Sequence, residues 1–116
     1  CLFPEGRCSD GRGLLEFKSA LIESAVSSGT NVLPLCIKYT GISGRPVKGE
    51  DFLTIGYFNG MPFPAQFRKM LSQKSLDVEV EILEPVITEG KDRKAIREET
   101  FGKMSSCYNR YLEGRL

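Results

Sequence analysis

A polar, glycine-spaced loop near the start of the chain carries the residues best suited to bind a small anion. It follows a short apolar run, Cys1 to Phe3, which predicts the end of a buried strand, terminated by Pro4 because proline cannot donate to a sheet ladder. Arginine side chains and loop amides can converge on a phosphate. The candidate anion-binding side chains of this loop are Arg7 and Arg12.

No catalytic residue is predicted within the chain. Cys8 is a poor candidate for a nucleophile, because the sequence contains no histidine that could act as its base. The cysteines do not have the spacing of zinc ligands, and we expect no metal site. We also expect reduced thiols. The four cysteines are Cys1, Cys8, Cys36 and Cys107.

Three blocks follow one another along the chain: Phe3-Pro-Glu-Gly6 with Ser9, Gly11 to Lys18, and Val32-Leu-Pro-Leu35. In this order they resemble the glycerophospholipid acyltransferase family, which includes the lysophosphatidate acyltransferases. Phe3-Pro-Glu-Gly6 followed by Ser9 is similar to the family's Phe-Pro-Glu-Gly-Thr-Arg-Ser block. The stretch from Gly11 to Lys18 resembles the family's link into its next helix, where Phe-Lys is typical. Val32-Leu-Pro-Leu35 resembles a later Val-Pro block that lies on a strand. The resemblance is looser beyond Tyr39.

The resemblance implies an α/β fold, a partial domain with a mixed sheet flanked by helices. It implies that residues 1–116 form the C-terminal portion of one acyltransferase domain. Family members transfer an acyl group from acyl-CoA or acyl-carrier-protein to the hydroxyl of a lysophospholipid such as 1-acylglycerol-3-phosphate, in membrane lipid biosynthesis. The implied setting is the cytoplasmic face of a membrane, and no bound cofactor is implied.

The family's base is a histidine, followed after four residues by an aspartate, and this motif lies upstream of the Phe-Pro-Glu-Gly block. Imidazole suits this role because its pKa lies near the operating pH. Because the chain has no histidine, we expect it to supply the acceptor-binding side and to be inactive alone.

Two positions depart from the family block, with Arg7 standing where the family has Thr and Cys8 where it has Arg. Ser9-Asp-Gly11 is closer to the lyso-ornithine-lipid acyltransferases, which lack that arginine. By resemblance, Glu5 and Gly6 belong to the acceptor-binding block, so the candidate binding residues are Glu5, Gly6, Arg7, Ser9 and Arg12. Glu5 can bind a lysolipid headgroup or brace the loop, Ser9 can form a hydrogen bond within the loop, and Arg7 and Arg12 can bind an anion or be solvated. The departures leave open a non-catalytic lipid- or protein-binding module, that is, a degenerate acyltransferase.

Composition and length exclude several classes of function. The net charge of +1 argues against a strongly electrostatic nucleic-acid binder. The longest uncharged run, residues 53–67, is too short and too interrupted by Gly and Pro for a membrane span. Gly11-Arg-Gly13 lacks the pattern of a nucleotide-binding loop. The chain starts with Cys1 and not Met, in an apolar run that is predicted to be a strand, and shows no signal-peptide pattern, so it is expected to be a fragment that begins within a domain.

Periodicity and turn residues predict the elements that position the loop. A helix over 14–28 ending at Gly29 and a strand over 32–39 complete a right-handed βαβ unit. Asn59-Gly60 predicts a turn. The later predictions are a strand over 52–58, a helix over 65–73, a strand over 76–83 with a solvated acidic side, and a helix from its N-cap Asp92 to about Leu112.

Apolar residues outside the loop are mostly expected in the core. Phe17 and Cys36 are interpreted as buried packing residues. Lys18 is expected at a solvated helix start in preference to a headgroup site. For the cluster of Met61, Phe63 and Phe67 a core role is favoured, and an acyl-chain groove or a membrane contact remains the alternative.

Overall fold

The computed structural model describes residues 1–58 and 60–116. The helices are α1 (Ser19–Ser28), α2 (Phe52–Ile55, preceded by a 3₁₀ turn at Gly49–Asp51), α3 (Phe63–Leu71) and α4 (Arg93–Leu112). The strands are β1 (Leu35–Ile42), β2 (Arg45–Pro46) and β3 (Leu76–Ile82). Asn59, part of the predicted turn, lies outside the described residues.

The three strands form one antiparallel sheet in the order β2-β1-β3. Ile37 lies opposite Val80, and an irregularity follows Tyr39, where β1 shifts register. The α/β class predicted from the sequence is confirmed. The parallel βαβ unit is wrong, because Cys1 to Phe3 form no strand and β1 finds its partners in later segments that return antiparallel to it.

Two apolar clusters form the core. One joins α1 to α4 and to the segment after β3, through Ile22, Val86 and Ile96. The other joins β1 to α2 and the end of α4, through Ile42, Val47, Phe52, Tyr111 and Leu112. Phe17 and Cys36 are buried as predicted, and the Phe17 ring packs edge-on against Phe101 at 5.1 Å.

Helix α1 begins later than its periodicity predicts. The Lys18 amide donates to the Pro4 carbonyl at 2.8 Å, and the Leu15 amide donates to the Glu5 carboxylate at 2.7 Å. These bonds tie residues 14–18 to the preceding turn, so the helix starts only at Ser19. Its end is as predicted, since Gly29 adopts a positive φ of 63°.

The predicted strand over 52–58 is wrong, because its first half forms the short helix α2. A short helix leaves its last carbonyls without intrahelical partners. The side-chain amide nitrogen of buried Gln66 in α3 lies 2.6–3.2 Å from three carbonyl oxygens at the end of α2, those of Leu53, Thr54 and Gly56, and its two N–H groups donate to this set. This tertiary contact, which local sequence does not reveal, fixes α2 against α3.

The sequence predicts the extent of strand β3 well, but it predicts the wrong side of the strand as the buried one. Its aliphatic side, Val78, Val80 and Ile82, is about half exposed or more. The acidic side, expected to be solvated, pairs with Lys38 of β1, whose ammonium lies 2.7 Å from Glu79 and 2.6 Å from Glu81. Lys38 is buried, so the carboxylates serve to neutralise it.

The last two helices follow their predictions closely. Helix α3 begins two residues earlier than expected, and α4 begins after Asp92, whose carboxylate accepts from the Ala95 amide at 2.8 Å. The core role expected for Phe63 and Phe67 is wrong, because both rings are exposed.

Candidate functional site

The Pro4-Glu5-Gly6 turn that carries the predicted site is held by hydrogen bonds in both directions. The Gly6 amide donates to the Phe3 carbonyl at 3.1 Å, closing the turn, and Gly6 has a φ of 65°, a conformation that side chains disfavour. The Glu5 carboxylate accepts from the Leu15 amide at 2.7 Å. One oxygen of Glu5 therefore braces the loop, as one of its two predicted roles requires.

Lys18 lies directly over this turn. A Cβ placed on Gly6 would lie 3.0–3.1 Å from the Lys18 side chain, including its ammonium nitrogen. Lys18 is the N-cap residue of α1 and makes no side-chain capping bond. It is exposed, as expected, and its ammonium also reaches the turn that carries Glu5.

Helix α4 contributes an arginine to the same place. The Arg97 guanidinium lies 3.5 Å from the Glu16 carboxylate and 3.6 Å from Glu98. Its side chain is only 25% exposed, which restricts its movement. The Phe17–Phe101 contact sets the distance between this part of α4 and the start of α1.

These side chains surround an open pocket of about 410 Å³. Its lining residues are Glu5, Arg7, Glu16, Phe17, Lys18, Ser19, Ala20 and Arg97. Three cations thus face two carboxylates, one of which, Glu5, already accepts a backbone hydrogen bond. Such a pocket can hold an anionic group with arginine and lysine donors.

The structure separates the other predicted site residues from this pocket. The Ser9 hydroxyl accepts from the Gly11 amide at 3.2 Å, a hydrogen bond within the loop itself. Arg12 donates to the Gly49 carbonyl at 3.2 Å. Gly11 is itself held by α4, since the Tyr108 hydroxyl donates to its carbonyl at 2.8 Å. The second half of the loop therefore attaches to α2 and α4, while Glu5, Gly6 and Arg7 remain at the pocket.

The pocket draws on two residues that sequence reasoning did not assign to it. For Lys18 the sequence favours a solvated helix start over a headgroup site, and for Arg97 it gives no sign of a binding role. No local pattern identifies Arg97, because it lies 79 residues after Lys18 and reaches the pocket only through the packing of α1 on α4.

A second, smaller pocket of about 190 Å³ lies between the sheet and α4. Its central cation, Lys38, has its pKa raised by the hydrogen bonds that its ammonium donates to the carboxylates of Glu79 and Glu81. Burial raises the pKa of the neighbouring Cys107 to about 12, so this thiol is protonated and unreactive at neutral pH. Lys38 pairs with Glu79 and Glu81, and Glu81 also pairs with Arg110, which is typical of a structural ion-pair cluster.

Two further observations concern metals and membranes. Within residues 1–58 and 60–116, no cluster of three or more Cys, Asp and Glu side chains is placed to hold a metal ion. Over the same residues, none of the helices combines the length and the apolar character that crossing a bilayer requires.

Comparison with known proteins places this site in context. The family described as Acyltransferase matches residues 1–38, which include the Glu5 turn and Lys18. No solved structure matches the chain.

Curated relatives extend the similarity beyond the family match. A 1-acyl-sn-glycerol-3-phosphate acyltransferase of Neisseria gonorrhoeae is 31% identical over 83% of this chain and 36% of its own length. Lyso-ornithine lipid O-acyltransferases of Rhizobium meliloti and Brucella abortus are 35% and 32% identical over 99% and 98% of this chain, and over 41% and 46% of their own lengths. The chain therefore spans less than half the length of these relatives.

Proposed function

The chain belongs to the acyltransferase family, and from that premise we propose that it forms the acceptor side of a lysophospholipid acyltransferase. The complete protein would transfer an acyl group to the hydroxyl of a lysophospholipid. The relatives named above are enzymes for 1-acyl-sn-glycerol-3-phosphate and for lyso-ornithine lipid. Both names describe lipid acceptors, which supports a lysolipid as the substrate class here.

The pocket at the Glu5 turn is the observation that carries the proposal. Arg7, Lys18 and Arg97 line it together with Glu5. An anionic headgroup entering the pocket would gain charge-assisted hydrogen bonds from these donors, which are shorter and stronger than neutral ones. Glu5 would hold the turn in shape through the Leu15 amide, and its second oxygen would be available to the headgroup.

The proposal divides the reaction between this chain and the rest of the complete protein. Removing the proton of the acceptor hydroxyl requires a base with a suitable pKa, and histidine is the side chain that most often serves. The resemblance implies a histidine and an aspartate upstream of the Glu5 turn, and the chain has no histidine. The chain would therefore bind and orient the acceptor but be inactive by itself.

The proposal includes the donor and the place of reaction. The acyl group would come from acyl-CoA or acyl-carrier-protein, as the resemblance implies, and neither would remain bound as a cofactor. Because the acceptor is a membrane lipid and thioester donors are cytoplasmic, the enzyme would work at the cytoplasmic face of a membrane.

The test is an acyl-transfer assay on the complete natural protein. A labelled acyl thioester, supplied as acyl-CoA or as acyl-carrier-protein, is offered with lysophosphatidate or lyso-ornithine lipid. We expect transfer to one acceptor and at least about a tenfold loss of kcat/KM in Glu5→Ala, since that change removes a charged hydrogen-bonding group. Glu89→Ala, an exposed carboxylate far along the chain, is the matched control and is expected to behave as wild type.

Glu5→Gln distinguishes the two roles of Glu5. Glutamine keeps an oxygen that can accept from the Leu15 amide but loses the charge. Full activity in Glu5→Gln would assign Glu5 to bracing alone. No transfer to any acceptor by the folded wild-type protein, with lysolipid binding retained, would contradict the enzyme proposal and favour a non-catalytic lipid-binding module.

A further inference from the structure

Helix α3 presents an apolar stripe to solvent. Phe63, Phe67 and Leu71 recur every four residues, which puts them on one side of the helix. Their exposed fractions are 57%, 44% and 64%. We call these three residues the aromatic stripe. Rings of this size normally dominate cores and interfaces, so two of them side by side on a surface point to an interaction.

The aromatic stripe is ordered by contacts among its own rings. Phe63 stacks on Phe67 with centroids 5.6 Å apart, and Tyr57 packs edge-on against Phe63 at the same distance. Gln66, on another side of α3, anchors the helix through its hydrogen bonds to the end of α2. The side chains of the aromatic stripe are therefore exposed and already ordered, so that a partner would not have to order them on binding.

The charges on the segment that carries the aromatic stripe have one sign. Residues 60–76 include Arg68, Lys69 and Lys74 and contain no Asp or Glu. All three cations are exposed, and within the part of the chain that the structure describes none of them forms an ion pair. The chain as a whole is nearly neutral, so this positive charge is a local property of α3 and its C-terminal end.

We propose that the aromatic stripe and its three cations dock the protein on the surface of an anionic lipid bilayer. An amphipathic helix with aromatic residues on one face and Lys or Arg beside them lies in the interface with its rings in the acyl boundary. Each nearby cation adds attraction to anionic headgroups. The inference rests on the proposed function only in giving a lipid acceptor as the reason for docking, and its test measures no acyl transfer.

The test uses the absence of tryptophan from the chain. Phe67→Trp places a single fluorophore in the aromatic stripe, and Val80→Trp places one on the exposed aliphatic side of β3 as the matched control. Each variant is titrated with phosphatidylcholine vesicles with and without phosphatidylglycerol. We expect a blue shift of Phe67→Trp emission, and its quenching by brominated acyl chains, only with the anionic vesicles. Val80→Trp emission is expected to stay unchanged.

A charge variant tests the electrostatic half of the proposal. Arg68→Gln combined with Lys74→Gln should weaken binding to anionic vesicles by about fivefold for each charge removed, and raised salt should weaken wild-type binding. Arg93→Gln combined with Lys94→Gln, exposed cations at the start of α4, should leave binding unchanged. Circular dichroism confirms that every variant is folded.

Three results would overturn the proposal. A blue shift in Val80→Trp and not in Phe67→Trp would mean that the sheet, and not α3, contacts the membrane. Equal binding to neutral and anionic vesicles would remove the role of the cations. Phe67→Trp emission that is already blue-shifted without vesicles would mean that protein covers the aromatic stripe. A blue shift that decreases on dilution would identify a second copy of the chain as the cover, and one that does not would identify another segment.

Discussion

At the scale of single residues, the site depends on one carboxylate and one glycine. Glu5 joins the turn to residue 15 through a single hydrogen bond of 2.7 Å, and Gly6 leaves room for the Lys18 side chain. The turn and the need for a positive φ at Gly6 follow from the sequence, because glycine adopts that conformation without steric cost. The partner of Glu5 does not follow, since it depends on how residues 14–18 fold back.

A second carboxylate makes stability depend on pH. Asp51 is almost fully buried and accepts two hydrogen bonds from Arg45, each 2.7 Å, and one from the Lys48 amide at 2.8 Å. The Arg45 guanidinium is the main cause that lowers the pKa of Asp51. The ionised carboxylate therefore stabilises the fold above the ordinary pKa of about 4, and this stabilisation is lost as pH falls through the lower, folded-state pKa.

We therefore expect Asp51→Asn to cost about 2 kcal/mol of unfolding free energy at pH 7 and less near pH 3. Urea denaturation of both proteins at the two pH values measures the difference. Asp77→Asn is the control, since it alters a carboxylate that is exposed and forms no ion pair among the described residues. A cost for Asp51→Asn that is the same at both pH values would contradict this account.

At the scale of elements, α4 is the longest helix and carries one evident weakness. Gly102 lies in its middle, and a Cβ added there would meet nothing within 4 Å. Gly102→Ala should raise stability by about 1 kcal/mol because alanine loses less backbone entropy than glycine in a helix. Thermal unfolding should show a midpoint higher by about 4 °C.

The control for this change is Gly44→Ala. That position also has open space around it but a φ of 81°, which alanine adopts only with strain. Its midpoint should fall. A lower midpoint for Gly102→Ala as well would contradict the view that α4 is limited by local helix propensity at this position.

The elements that sequence predicts well are those whose signals are local. The Asp92 N-cap, the Gly29 helix end and the alternation along β3 all act within a few residues. The wrong predictions concern segments whose structure depends on tertiary contacts. Gln66 holds residues 52–55 in a helix where their composition favours a strand, and buried Lys38 draws the acidic side of β3 toward itself.

At the scale of the whole molecule, the sheet is covered unequally. Helix α4 packs on one side, over Cys36 and Lys38. The other side exposes aliphatic residues from both long strands, among them Leu35, Ile37 and Val80. The chain also spans less than half the length of the curated relatives named above. Alternation along a strand could therefore locate β3 but not its buried side. Both sides of the strand carry groups suited to burial, aliphatic residues on one and the ion-pair partners of Lys38 on the other.

The pocket is likewise a property of the whole molecule. The turn residues Glu5, Gly6 and Arg7 could be predicted as candidates from the sequence, and the structure places Glu5 and Arg7 in the lining of one pocket. Arg97 joins them only because α1 packs on α4. Its neighbour one turn earlier, Arg93, makes a similar ion pair with Glu23 of α1 at 3.3 Å but does not line the pocket. The two arginines therefore have similar ion pairs and differ in whether they line the pocket, so Arg93 serves as the control for Arg97.

The acceptor KM of Arg97→Gln, measured beside that of Arg93→Gln in the complete natural protein, shows whether the pocket binds the lysolipid. If the pocket holds the anionic headgroup, Arg97→Gln should raise the KM for the lysolipid at least about tenfold. It should leave the KM for the acyl thioester and the thermal midpoint the same as in Arg93→Gln. An unchanged lysolipid KM in Arg97→Gln, or an equal rise in both variants, would contradict the assignment of this pocket to the acceptor.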